Sequence, residues 1–243
     1  FFRKVYIIVL DLNYAPYINF FSIHNIIVLL LKRSNGVIFL SNRTMVKHKN
    51  MLNIAGVIDE SKIQPLKIGR KNNLICLFSG NLDFYTGFDM AIDIFRELPN
   101  CKLIITGLGA PDISLLSKFP NINYLGYLPY DEYLLLYNQV DICLSLRNPA
   151  FSENVNNFPS KILEYFCYNK IVVSTIQYPE LTAFNYFSVE YSKDAIKETV
   201  LNICSMNKTD LYKYKDNQKA LSTHFSAEKW KQSFKQLESI YII

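Results

Sequence analysis

Hydrophobic residues fall along this chain in two alternating patterns. Short, nearly unbroken apolar runs bounded by turn residues are followed by longer stretches in which apolar positions recur every three or four residues. The runs at 5–10, 36–40, 74–78, 102–106, 122–125, 142–146 and 171–175 are strand-length and rich in Ile, Val, Leu and Phe, as expected of strands covered on both faces. Segments of helical period lie between nearly all of them. The clearest are 88–98, which sets Ala91, Ile92, Phe95 and Leu98 on one face, and 130–138, rich in Leu and Tyr. Strand and helix alternating in this way predict right-handed crossovers and a doubly wound parallel sheet, an α/β fold of Rossmann type.

Between 59 and 73 the pattern lapses into polar, irregular sequence containing Pro65 and Gly69, and a domain boundary is expected there. Residues 1–66 hold two strands and two helices, too few for a full doubly wound domain. Residues 67–243 hold five strands and their helices, a complete one. Phe1 leads into the first strand with almost no preamble, so an N-terminal part is expected upstream. Near the C-terminus, Ser192 can cap a helix carrying Ile196, Val200 and Ile203, and Ser226 a second carrying Trp230, Phe234 and Leu237. Such stripes usually pack a core. No internal repeat or low-complexity tract is visible.

Half of the 243 residues are hydrophobic, which suffices for a sizeable core and argues against disorder. The formal charge of +5 is modest. It favours anionic partners, and without a basic run interleaved with aromatics it gives no support to nucleic acid. Phosphorylated small molecules and an anionic membrane surface fit equally well. Five scattered cysteines, Cys76, Cys101, Cys143, Cys167 and Cys204, each sit in an apolar run and read as reduced core thiols of a cytosolic protein. No pair has zinc-type spacing and His24, His48 and His224 are isolated, so no metal is expected. The run at 26–31 is too short to cross a bilayer, and Lys32 and Arg33 close it, as in a buried or interfacial helix.

In open α/β sheets ligands bind beyond the carboxyl ends of the strands, which singles out three loops. In Phe78-Ser-Gly-Asn81, followed by Tyr85-Thr-Gly87, Gly80 lets a ligand approach the backbone and Gly87 opens a helix that can receive an anion; a tight turn is the plainer alternative. Thr106-Gly-Leu-Gly109 is a weaker signal of the same kind. The third, Asn157-Phe-Pro-Ser-Lys-Ile-Leu-Glu-Tyr165, is the strongest. Pro159 suits a first helical turn and the Asn ahead of it can cap, so the amides there, the Ser160 hydroxyl and the Lys161 ammonium form an anion site suited to a diphosphate. Glu164, one turn on and on the same face, can accept from two ribose hydroxyls. The alternative is an ordinary Lys161–Glu164 surface pair worth about 0.2–0.5 kcal/mol.

The stretch from Asn157 through Ile171-Val-Val-Ser-Thr175 closely resembles the donor-site helix and following strand of the group 1 (family 4) retaining glycosyltransferases. Gly126-Tyr-Leu-Pro129, Asp141-Ile-Cys-Leu-Ser145, Gly107-Leu-Gly109, Ser79-Gly-Asn-Leu82 and Lys32-Arg-Ser-Asn-Gly-Val-Ile-Phe-Leu-Ser41 extend the likeness over most of the chain in the right order. The resemblance implies a GT-B architecture, with a shortened acceptor-side domain before a complete nucleotide-sugar-binding domain. Glu164 matches the glutamate that binds the donor ribose, Ser160 and Lys161 lie where the helix start meets the diphosphate, and Gly80 matches the glycine of the phosphate-facing loop. The implied donor-binding set is Gly80, Asn81, Thr86, Glu153, Asn157, Ser160, Lys161 and Glu164.

Such enzymes need no metal and no cofactor beyond the nucleoside-diphosphate sugar itself, because cations and helix N-termini offset the charge on the leaving diphosphate. Three departures stand out. The family's sugar-contacting glutamate eight positions before Glu164 is Asn156, with Glu153 in the same loop as a substitute. The common Arg after the loop glycine is Asn81, and the common Lys before the next glycine is Thr86. The acceptor-side region where the family keeps an active-site histidine is expected upstream of Phe1, so no catalytic residue is assigned. The implied activity is sugar transfer, with retention, to a glycan or lipid-linked acceptor in surface polysaccharide synthesis, in the cytoplasm or peripherally at the inner membrane face. The alternatives are a non-catalytic nucleotide-sugar-binding domain and a nucleotide-sugar 2-epimerase.

Overall fold

A computed structural model of the chain describes residues 5–9, 23–40, 51–53, 56–66 and 74–239. All seven expected strands form, in order. The first unit contains β1 (Tyr6–Val9), α1 (Ile23–Arg33), β2 (Gly36–Phe39) and β3 (Met51–Asn53). The second begins with β4 (Ile75–Asn81), α2 (Phe88–Phe95), β5 (Lys102–Leu108), α3 (Ile113–Leu116) and β6 (Ile122–Tyr124). It continues with α4 (Tyr130–Leu136), β7 (Ile142–Ser145), α5 (Ser152–Asn156), α6 (Ser160–Cys167), β8 (Ile171–Ser174) and β9 (Phe187–Ser188). Four helices follow: α7 (Lys193–Ser205), α8 (Lys208–Lys215), α9 (Gln218–Phe225) and α10 (Ala227–Ser239).

The second unit is a six-stranded, fully parallel sheet in the order β6-β5-β4-β7-β8-β9. From β4 the chain steps outward to β5 and β6, then returns to the other side of β4 for β7. The direction of winding therefore reverses between β4 and β7, and a crevice opens at their carboxyl ends. Side chains alternate across the sheet as the two-residue period of a strand requires. Cys76, Phe78, Leu103, Ile105, Ile142, Leu144, Ile171 and Val173 join α2 and α7 in one core. Leu77, Ile104, Cys143 and Val172 join α4, α6 and α9 in the other. Each fully buried Ile, Leu, Val or Phe contributes roughly 1.5–3 kcal/mol, several times any surface ion pair, so these two layers hold the fold.

The smaller sheet, in the order β1-β2-β3, is parallel and sandwiched in the same manner. Val37 and Phe39 face Leu31 of α1, whereas Ile38 faces Tyr6, Trp230 and Phe234. The stripe on α10 is thus a packing face: the last helix lies against the first sheet, with Trp230 and Phe234 stacked at 5.7 Å. The side chain of Leu237, the third residue of the expected stripe, lies outside the described residues, as do 67–73 of the expected boundary. Residues 56–66 dock on the larger unit, where the Gln64 amide donates to the Cys167 carbonyl (2.8 Å) and the Ile58 amide to that of Phe225 (3.0 Å).

Three expectations are corrected. Cys204 is exposed, unlike the other four cysteines, because Ile196, Val200 and Ile203 already supply the inward face of α7 and Cys204 falls one residue past it. Pro159 takes the cap position of α6 rather than its first helical position, and no side chain caps that helix. Asn157 instead ends the short helix α5. Ser192 and Ser226 receive amide protons from Ala195 and Lys229 as N-caps of α7 and α10. No helix among the described residues is long and apolar enough to cross a membrane.

Candidate functional site

A cleft of about 420 Å³ opens over the carboxyl ends of β4 and β5, walled by α4 and by the start of α6. Its lining brings together Ser79, Gly80 and Asn81 from the end of β4, Thr106–Leu108 from β5, and Ser160, Lys161 and Glu164 from α6. Tyr127, Leu128, Tyr130 and Tyr133 close the other side. Two of the three loops selected from sequence therefore meet the third in a single crevice.

Backbone geometry explains why glycines stand here. Gly80 has φ +138°, disfavoured for any residue with a side chain, and a Cβ built on it would lie 3.9 Å from the Lys161 Nζ. The ammonium therefore sits directly above the bare backbone at the end of β4. Gly107, at φ +149°, comes so close to β4 that a Cβ would meet the Gly80 carbonyl oxygen at 1.7 Å. The pair keeps the cleft floor open.

At the start of α6 the anion site is narrower than the sequence suggests. The Ser160 amide is already donated to the Phe158 carbonyl at 2.9 Å, while no backbone carbonyl among the described residues takes the amides of Lys161 and Ile162. The Ser160 hydroxyl and the Lys161 ammonium complete the positive end. Burial pushes Lys161 below the ordinary lysine pKa, against a smaller upward pull from Glu164, and the nearby Arg147 guanidinium pushes it down further. A cation held partly out of water, with its charge incompletely balanced, is suited to meeting an anion. Its Nζ also stands 5.3 Å from the centre of the Tyr133 ring.

Glu164 lies one turn along α6 in the same lining. Tyr137 donates its hydroxyl proton to Glu164 Oε1 at 2.5 Å. The Tyr137 and Tyr133 hydroxyls are hydrogen-bonded to each other, and Ser79 Oγ lies 3.3 Å from the Tyr133 hydroxyl and 3.0 Å from that of Tyr165. Burial raises the pKa of all three tyrosines, which keeps them protonated. The sequence does not reveal this network. Tyr130, Tyr133 and Tyr137 show an i, i+3, i+7 spacing, yet that spacing reads equally as a packing face.

The remaining residues of the expected set lie outside the cleft lining. The Thr86 hydroxyl is turned to the backbone, 2.6 Å from the carbonyl of Asn81 and 2.9 Å from that of Asp83. Glu153 and Asn157 belong to the α5 segment, with Glu153 exposed. Gly87 caps α2 and is not among the cleft lining, fixed by its approach to the Leu146 carbonyl, where a Cβ would lie 1.8 Å from the oxygen. In the α5 segment Asn154 is the structural residue: buried, it accepts from Arg147 at 3.1 Å and donates to the carbonyls of Tyr85 and Asn148. No group of three or more His, Cys, Asp or Glu that could hold a metal occurs among the described residues.

No family model matches the chain, and no curated protein matches it. Solved structures do. Sucrose-phosphate synthase from Thermosynechococcus elongatus superposes with a TM-score of 0.67 at 12% identity, covering 89% of this chain and 60% of that one. A glycosyltransferase from Rickettsia africae ESF-5 gives 0.62 at 15% identity, covering 85% and 64%. AviGT4, a glycosyltransferase involved in avilamycin A biosynthesis, gives 0.55 at 12% identity, covering 87% and 78%. The chain thus spans less than two thirds of the first two of these structures. At such identities the likeness shows fold: the chain has the GT-B-like α/β architecture implied by its sequence.

Proposed function

We propose that the cleft binds a nucleoside-diphosphate sugar and that the chain is the donor-binding part of a family 4-like retaining glycosyltransferase. The observation that carries this reading is the Lys161 ammonium poised over Gly80 at the start of α6, with Glu164 one turn away in the same cleft. The diphosphate would take Lys161, the Ser160 hydroxyl and the free amides of Lys161 and Ile162. The ribose diol would reach Glu164. Charge growing on the departing diphosphate is offset by these groups without a metal. Residues 1–66 would belong to the acceptor-side domain and 67–243 to the donor-side domain. The acceptor would be a glycan or a lipid-linked molecule, as in surface polysaccharide synthesis, in the cytoplasm or peripherally at the inner membrane face.

Binding without transfer is the second reading. It is favoured by Lys161 being the single cation in the described cleft lining, where Asn81 stands at one of the two positions at which the family that the sequence resembles commonly carries a positive charge. Calorimetric titration with the four common ribonucleoside diphosphates tests the shared claim. Saturable binding to at least one is expected, weakened roughly tenfold or more in Lys161→Ala and in Glu164→Ala, as loss of a charge-assisted hydrogen bond implies. Unchanged affinity in both variants would rule the site out. Release of sugar from the donor, followed by chromatography, then separates transfer from binding alone, and a 2-epimerase would instead return an isomerised donor.

A further inference from the structure

The hydroxyl network behind the cleft has a direction that follows from proton counting. Each hydroxyl owns one proton. Tyr137 spends its proton on Glu164 Oε1, so the bond between the Tyr133 and Tyr137 hydroxyls is donated by Tyr133. Ser79 must then donate to Tyr133, and Tyr165 to Ser79. The order is Tyr165 to Ser79 to Tyr133 to Tyr137 to Glu164, with every O–H dipole turned towards the carboxylate. Such chains polarise one another in a low-dielectric interior. Tyr165 is 1% and Tyr137 3% exposed, so water offers these two little competition.

The same tyrosines also fix distance. The Tyr133 ring lies under the Lys161 ammonium while its hydroxyl holds Tyr137, which holds Glu164. The Tyr137 ring stacks on Tyr168, with centroids 4.4 Å apart. Lys170 binds the Tyr137 carbonyl from below at 2.5 Å and that of Val140 at 2.9 Å, anchoring the end of α4. Glu164 is thereby gripped through Oε1 by a group that cannot easily move, and Tyr137 is the one described side chain that hydrogen-bonds to it.

We infer that Tyr137, backed by Tyr133 and Ser79, is a positioning residue that pins one oxygen of Glu164 so that the carboxylate selects ligands carrying a vicinal diol, discriminating ribonucleotides from their deoxy counterparts. This rests on the reading of the cleft as a nucleoside-diphosphate site. An unpinned carboxylate could rotate to follow any donor and would lose its geometric preference. Pinned, it presents its remaining lone pairs to a diol in one orientation, and a sugar that lacks the hydroxyls forfeits those charge-assisted hydrogen bonds.

The test measures one ratio in four proteins: the affinity for the tightest-binding ribonucleoside diphosphate over that for its 2′,3′-dideoxy analogue. Wild type should favour the ribo form by roughly tenfold or more, and Glu164→Gln should lose most of this preference. Tyr137→Phe, which keeps the ring and its stack on Tyr168, should also lose most of it while binding the dideoxy analogue as wild type does. Tyr133→Phe should give a smaller loss. A residue that merely supported the fold would weaken both ligands together and leave the ratio unchanged. Full ribo preference in Tyr137→Phe, with the preference lost in Glu164→Gln, would overturn the positioning role alone. A wild type that binds no nucleoside diphosphate would overturn the functional reading and this inference with it.

Discussion

Lys161 is the residue on which the chemistry turns, and its surroundings make a prediction in pH. Burial holds its pKa below the ordinary 10.5, because removal from water penalises the charged form more than Glu164 compensates. A bound diphosphate favours that charged form, so binding takes up a proton wherever the free protein has lost one. Affinity should therefore fall as pH rises through the free-state value, beginning below 10.5, and calorimetry across the alkaline range reads this directly. Lys161→Arg, protonated throughout, should lack the decline. Flat wild-type affinity up to pH 10.5 would contradict the role. At this scale the sequence was legible where spacing alone carries meaning: Ser160, Lys161 and Glu164 share one helix face. Tyr133, Tyr137 and Tyr165 were not, because their meeting depends on α4 and α6 covering the same side of the sheet, which no local pattern encodes.

Among the elements, long apolar runs and clear helical faces were readable, and all seven strands inferred from them are present. The two that were missed, β3 and β9, are three and two residues long, too short for a period-two signal to separate from a loop. Asn157 and Pro159 misled for a related reason. Both residue types suit a helix start, but α5 ends at Asn156 and leaves only three residues before α6. Between elements, Lys193 and Lys197 of α7 both grip Glu97, just beyond α2, and hold its carboxyl down to about 2 from the usual 4.5. A folded-state pKa below the unfolded one contributes stability that is complete above about 4.5 and vanishes as pH falls towards 2. Thermal unfolding should therefore show wild type above Glu97→Gln at neutral pH. The gap should close over that window and shrink in high salt, remaining small throughout because the cluster is open to solvent. A gap that widened on acidification would contradict the assignment.

For the whole molecule, strand order does what no single motif can. Reversal of winding between β4 and β7 brings Gly80, Gly107 and the start of α6 to one crevice from positions up to eighty residues apart. The alternation of strands and helices announced a doubly wound sheet, and its parallel sense followed from the crossovers. The packing of α10 against the first sheet did not follow, since an amphipathic stripe states that a face is buried without naming what buries it. The net charge of +5 is compatible with an anionic ligand and is too dispersed to identify one. The central claim is spatial, so its most direct test is a crystal structure of the chain with the tightest-binding nucleoside diphosphate. The account predicts phosphate oxygens within hydrogen-bonding distance, about 3 Å, of the Lys161 ammonium and the free amides of α6, with the ribose hydroxyls on Glu164. A nucleotide bound elsewhere, or one in this cleft with its phosphates turned away from Lys161, would contradict it.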